Sequence, residues 1–202
     1  MANREASTVA RKPCPCGGGQ VQIVLTYDDS DWGARDQNWH GTISCERCRP
    51  LYAFVGAGRG ADVVRVEDKA RCDGLRRDAA ILRKRFLASV EVESVFERVA
   101  GAFDALPSAA ARHRLAVQLK LETATLTTFR KHMRDYGTRR WLASRRHLSC
   151  LPALFAYVGL DPSPIYEVEE RAHALEKQAF DALRPVISLG PISLFARPGD
   201  GL

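Results

Sequence analysis

The chain has 202 residues, 46% apolar and 27% charged, with 30 Lys and Arg against 24 Asp and Glu for a formal charge of +6. This composition excludes collagen-like and generally disordered chains, and the length suits one medium domain or two small ones. No apolar run approaches the roughly 20 residues of a membrane helix, and the opening MANREASTVARKP lacks the apolar core of a signal peptide, so a cytoplasmic chain with reduced thiols is expected.

Residues 1–13 are polar without a period and read as a flexible arm. Cys14-Pro15-Cys16-Gly17-Gly18-Gly19 follows, after which Val21, Ile23, Leu25 and Tyr27 alternate as a strand. An acidic stretch from Asp28 to about His40, with Asp29, Asp31 and Asp36, reads as a solvated loop, because no second carboxylate cluster completes a magnesium site. Thr42-Ile43-Ser44 then leads into Cys45-Glu46-Arg47-Cys48, and Leu51 to Val55 reads as a further strand. In a reducing compartment, two close cysteine pairs argue for a metal and against disulfides, while Cys72 and Cys150 read as buried small hydrophobes.

Two metal-binding turns, each at a strand end, resemble the zinc-ribbon family over residues 13–56. The resemblance implies Zn2+ held by Cys14, Cys16, Cys45 and Cys48, with the metal replacing a core too small to stand alone. The first pair is Cys-x-Cys where the family carries Cys-x-x-Cys, so His40 stands as an alternative ligand. Cys-Pro-Cys-Gly also resembles the opening of a SEC-C motif, whose later ligands are absent here.

Gly56 to Ala61 is glycine-rich but lacks the Lys-Ser or Lys-Thr ending of a phosphate loop, and reads as a hinge. Leu75, Ala79, Leu82 and Phe86 then recur at helical spacing as a connecting helix, so residues 57–92 form a linking segment. Phe96, Val99, Phe103 and Leu106 mark the next helix, closed by Pro107-Ser108. From Arg112 to Arg146 ten Lys and Arg face only Glu122 and Asp135, so this block carries +8 and the rest of the chain −2. Localised charge of this kind suits phosphate binding.

Within the block Leu115, Ala116, Leu119, Leu121, Thr125, Leu126 and Phe129 are spaced as in the helix-turn-helix of phage-repressor-like domains of the Cro and lambda-repressor type. The chain resembles that family over residues 95–160, including Leu148, Leu151, Leu154 and the closing Val158-Gly159-Leu160. Lys120 stands where the family places Gly, and Glu122 where it places a Ser cap, so Thr123 is read as the cap. The resemblance implies a reading helix over about residues 123–136, which lies in the major groove of double-stranded DNA. Leu126, Phe129, Met133 and Tyr136 share one arc of that helix, a core face, and Trp141 packs. Thr123, Ala124, Thr127, Thr128 and Lys131 then face base edges, while Arg130, Arg134, Arg139 and Arg140 reach phosphates.

After Asp161-Pro162-Ser163-Pro164 a helix over about 165–183 carries Ile165, Val168, Ala172, Leu175, Ala179 and Leu183, a stripe for monomer packing or for a homodimer. Val186 to Leu189 and Ile192 to Phe195 read as a small hairpin or an exchanged arm. The expected class is α+β, a small N-terminal β zinc ribbon followed by a mostly α-helical helix-turn-helix bundle. Its expected divisions are arm 1–13, ribbon 14–56, hinge and connecting helix 57–92, helical domain 93–160 and C-terminal helix and tail 161–202. No nucleophile–base set or Walker loop is present, and a non-enzymatic DNA-binding regulator is expected. The competing expectation is an adaptor or inhibitor that docks on a protein partner through the ribbon.

Overall fold

The computed structural model describes residues 4–29, 35–56 and 60–191 of an α+β chain. It divides into two units, Met1–Leu75 together with Gln178–Leu202, and Arg76–Lys177. No helix among the described residues is long and apolar enough to cross a membrane.

The first unit is built from two antiparallel sheets. In one, β1 (Arg4–Pro13), β2 (Gln20–Asp29) and β3 (Arg35–Ile43) lie in that order; in the other, β4 (Tyr52–Val55), β5 (Gly60–Arg65) and β6 (Ile187–Pro191) do. Val21, Ile23 and Leu25 of β2 are buried, as their alternation requires. Residues 4–13, read as an arm, instead pair with β2 along their length. Edge strands face one neighbour only, and this one is too polar to show an apolar period.

β5 occupies part of the expected hinge. Its Ala61, Val63 and Val64 are all buried, and it is the central strand of its sheet, with β4 on one side and β6 on the other. A strand buried on both faces has no alternation to read, and one partner lies over 120 residues away in the chain. The C-terminal strand therefore pairs with β5. Ile192 to Phe195, its expected hairpin partner, lie outside the described residues, as do Asp31 of the acidic stretch and residues 57–59 of the glycine-rich one. Among the described residues of the acidic stretch, Asp28 and Asp29 end β2 and residues 35–40 lie in β3, with Asp28 opposite Asp36. Sheet to sheet, Val21, Ile23 and Ile43 share a core with Val63 and Leu189, flanked by Trp39, Phe54 and Ile187.

Helices make the second unit. α1 (Val66–Leu87) starts in the first unit and ends in this one; α2 (Val90–Asp104), α3 (Ala109–Gln118), α4 (Leu126–Ala143) and α5 (Leu151–Tyr157) follow, and α6 (Ser163–Ala182) leads back. Ser89, Ser108 and Thr125 cap α2, α3 and α4, each side-chain oxygen accepting the N–H three residues on. Ile165 of α6 is buried in the core and Val168 packs against it, while Ala172 and Ala179 are also buried. Leu175 and Leu183 of the same stripe are half-buried. On the same helix Glu169 and Glu176 both pair with Arg83 of α1, the former at 3.1 Å, and these hydrogen bonds hold the Glu176 carboxyl below the usual carboxylate range.

The turn after α3 has a specific form. Lys120 adopts φ 55°, its N–H donates to Val117 O at 3.0 Å, and the Leu121 N–H reaches back to Ala116 O at 2.9 Å. This is a Schellman closure, and α5 repeats it with Gly159 at φ 75° and Leu160 donating to Phe155 O at 2.9 Å. One closure uses glycine and the other lysine. Left-handed backbone strains a residue with a Cβ, so Lys120→Gly is expected to stabilise the protein by about 0.5–1 kcal/mol despite the extra chain entropy of glycine. A urea titration checks it: the midpoint rises with unchanged slope.

A second left-handed residue, Glu122 at φ 40°, follows the buried Leu121, and the chain forms no helix until after Thr125. The reading helix expected from Thr123 therefore begins at Leu126, and its cap is Thr125 rather than Thr123. Gly137, at φ 72° and ψ 166°, breaks α4 into two halves through a conformation open essentially to glycine alone. Phe129 from the first half and Trp141 and Leu142 from the second enter the core. Tyr136, assigned by periodicity to the core arc, lies at the end of the first half and is 52% exposed.

Candidate metal centre and basic face

Strand register brings the cysteines together. Pro13 lies opposite Gln20, and Val21 opposite Ile43, so the turn joining β1 to β2 and the turn leaving β3 fall at the same end of the sheet. Ser44 clamps them: its N–H donates to Gln20 O at 2.9 Å, and its hydroxyl accepts the Gln20 N–H at 2.8 Å. Within the first turn the Cys14 N–H donates to Gly19 O at 2.9 Å; in the second, Cys48 and Arg49 N–H groups both donate to Cys45 O, at 3.2 and 2.9 Å. A Cβ on Gly19 would sit 2.7 Å from Cys45 Cβ, so the approach of the two turns requires glycine there.

The four sulfurs of Cys14, Cys16, Cys45 and Cys48 lie within 4.8 Å of one another. Cys16 Sγ is 3.3 Å from Cys14 Sγ, 3.4 Å from Cys45 Sγ and 3.3 Å from Cys48 Sγ. These separations far exceed the ~2.05 Å of a disulfide. They approach the ~3.8 Å edge of a tetrahedron with metal–sulfur bonds of ~2.3 Å. Cys14, Cys45 and Cys48 are buried and Cys16 is exposed. The Cys48 backbone N–H, with the Cys16 thiol, draws the Cys45 thiol down to about 7, whereas burial pushes Cys48 up to about 12. Both Cys14 and Cys16 join the group, and His40, exposed on β3 opposite Val24, does not.

All four donors are thiols, a soft set suited to a single tetrahedral thiophilic ion. No protein-family model, curated protein or solved structure matches the chain. The site thus rests on its own geometry. The two cysteine pairs expected from the sequence form this cluster, and Gly19 belongs to the glycine run between Cys16 and β2, whereas Ser44, which ties the two turns together, carried no such signal.

Charge separates the two units. The β unit holds twelve Lys and Arg against twelve Asp and Glu, and the helical unit eighteen against twelve, so the whole +6 lies on the helical unit. On α4, Thr127, Arg130, Lys131 and Arg134 are exposed, and neither Arg130 nor Lys131 has a carboxylate partner among the described residues. Arg134 pairs with Asp135 at 3.0 Å in full view of solvent. The Thr128 hydroxyl is engaged with the capping Thr125 hydroxyl at 2.9 Å. Thr123 lies in the connector, half-buried, and does not belong to the helix.

The second half of α4 differs. Arg139 pairs with Glu97 of α2 at 3.1 Å and Arg146 with Glu93, over a cavity of about 300 Å³ floored by Phe96, Ala100 and Leu142. Two of the block's cations are thus met by carboxylates of the neighbouring helix, and Arg140 instead lies over the Tyr136 ring at 5.5 Å. Block charge could not reveal this, because Glu93 and Glu97 precede the block in sequence.

Proposed function

We propose that this is a non-enzymatic, zinc-containing DNA-binding protein, a transcriptional regulator whose helical unit reads duplex DNA with the first half of α4. The observation that carries it is the run of exposed, carboxylate-free cations on α4, Arg130 and Lys131, on the unit that holds the chain's entire excess charge. Phosphate neutralisation by such cations supplies most sequence-independent affinity, while short side chains such as Thr127 read base edges. Zn2+ fits the four thiols and organises the β unit.

The ion pairs grade the cations. Lys131→Ala and Arg130→Ala are each expected to weaken duplex binding and to reduce the salt slope by about one. Arg139→Ala has a smaller effect, because Glu97 already meets that charge. Selection from a random duplex library by the zinc-loaded protein, followed by anisotropy titrations at several salt concentrations, measures all three. An enriched motif supports a regulator, and its loss of preference on substitution of Thr127 places that residue at a base edge.

The balanced charge of the β unit favours a second reading, a protein contact made by the ribbon, since this surface offers phosphate no net attraction. An adaptor or inhibitor of that kind shows only generic, salt-erased DNA attraction. Absence of any enriched motif turns the conclusion to it.

A further inference from the structure

Along α4, His132, Tyr136 and Arg140 recur every four residues and touch in sequence. The His132 and Tyr136 rings have centroids 6.0 Å apart at 65°, and the Arg140 guanidinium carbon lies 5.5 Å from the Tyr136 centroid. Tyr136 is more than half exposed, at 52%, whereas Phe129, two turns earlier on the same stripe, is fully buried. The Gly137 break accounts for the difference: it turns Trp141 into the core and leaves the last ring of the first half outside. Core packing therefore does not explain an aromatic here. Arg140 has no carboxylate partner among the described residues and lies over one face of the ring, so a cation free of a carboxylate sits beside the face left to a base.

Exposed aromatic rings set among arginines are what unpaired bases require. Every base presents a π-face, stacking is tolerant of sequence, and nearby cations track the sugar-phosphate chain. Bases inside a duplex are already stacked on one another and offer no such face. We propose that the His132–Tyr136–Arg140 row is a stacking platform for unpaired nucleotides, so that the helical unit takes single-stranded nucleic acid as well as duplex. The proposal rests on the reading that this basic surface binds nucleic acid. It occupies a separate face of the helix: at 3.6 residues per turn, Tyr136 lies about 180° around the axis from Thr127. Single strands and duplex are accordingly separable by substitution.

The test uses the full-length, zinc-loaded protein and three fluorescent probes of about 16 nucleotides, oligo(dT), oligo(U) and a mixed-sequence duplex. Anisotropy gives the affinities of the wild type, Tyr136→Ala and Tyr136→Phe. Tyr136→Ala is expected to weaken oligo(dT) or oligo(U) binding about tenfold, while Tyr136→Phe, which keeps the ring, stays within about twofold and duplex binding is unchanged. Whichever single strand binds more tightly identifies the source of the unpaired bases as DNA or RNA. Because Tyr136 is exposed, the variants fold, and matching melting curves verify it. Equal losses on single strand and duplex, or no loss on single strands, overturn the platform. Duplex binding without single-strand binding overturns it alone, and failure to bind any probe overturns the nucleic-acid reading along with it.

Discussion

Chelation of the metal from the intact protein is expected to unfold the β unit while the helical unit keeps its structure. The β unit's core is small, with Val21, Ile23, Ile43, Val63 and Leu189 as its main aliphatic members, and three of the four cysteines are buried beside them. The two turns that carry the thiols are joined by Ser44 and held at a distance that only Gly19 allows. Without the ion, four sulfurs within 4.8 Å of one another, with Cys16 Sγ 3.3–3.4 Å from the other three, must stay crowded with nothing to compensate them. In zinc-finger peptides the corresponding binding energy, about 10–16 kcal/mol, is folding energy outright. We therefore expect one Zn2+ per chain, and its loss on chelation, to remove the dispersed NMR signals of Val21, Ile23 and Val63. Signals of Phe129 and Trp141 persist. Cys48→Ser should reproduce the effect, because Cys48, like Cys14, is buried at 3% exposure and one of four thiols gathered at the site. A chain that binds no thiophilic metal, or that keeps its β signals without one, removes zinc from the proposed function.

Trp141→Ala is expected to destabilise the helical unit by about 3–5 kcal/mol. The residue is 1% exposed, and its ring meets Phe103 edge-on at 5.5 Å and Phe129 at 5.1 Å, with the Arg145 guanidinium 5.3 Å from its centroid. Removing it opens a cavity between helices and cancels two aromatic contacts at once. For a unit of this size the melting midpoint should fall by roughly 15 °C or more. Trp141→Phe should cost much less. The indole Nε1 has no hydrogen-bond partner among the described residues, so phenylalanine forfeits volume but no such bond. Thermal unfolding followed by circular dichroism compares the variants, and an equal loss from both would mean that the indole nitrogen, not packing, holds the site.

Legibility in the sequence followed the physics of each element. The cysteine pairs were readable because metal ligands cluster at short spacings, and α2 was readable because Phe96, Val99 and Phe103 repeat at the helical period and all three are buried. β1 and β5 were missed for opposite reasons. The first is a polar edge, and the second is a short strand buried on both faces whose partners are set by pairing across the chain. The start of α4 was placed three residues early, because a pattern of Thr and Leu cannot show that Lys120 and Glu122 adopt left-handed backbone. Tyr136 fell on the right helical stripe, but the break at Gly137 ends the packed stretch before the stripe does.

The position of β6 has a consequence for how the protein is made. β5 pairs on one side with β4, a few residues away, and on the other with a strand that leaves the ribosome after the entire helical unit. Residues 76–177 are all made while that strand is still unsynthesised, and compact units generally fold as units during synthesis. The sheet begun before the helical unit is thus completed only after it, and until then the open side of β5 is an unpaired edge available to other nascent chains. Early capture of a thiophilic metal would hold the two cysteine turns and the first sheet in place through that interval, leaving β6 to add once it is made.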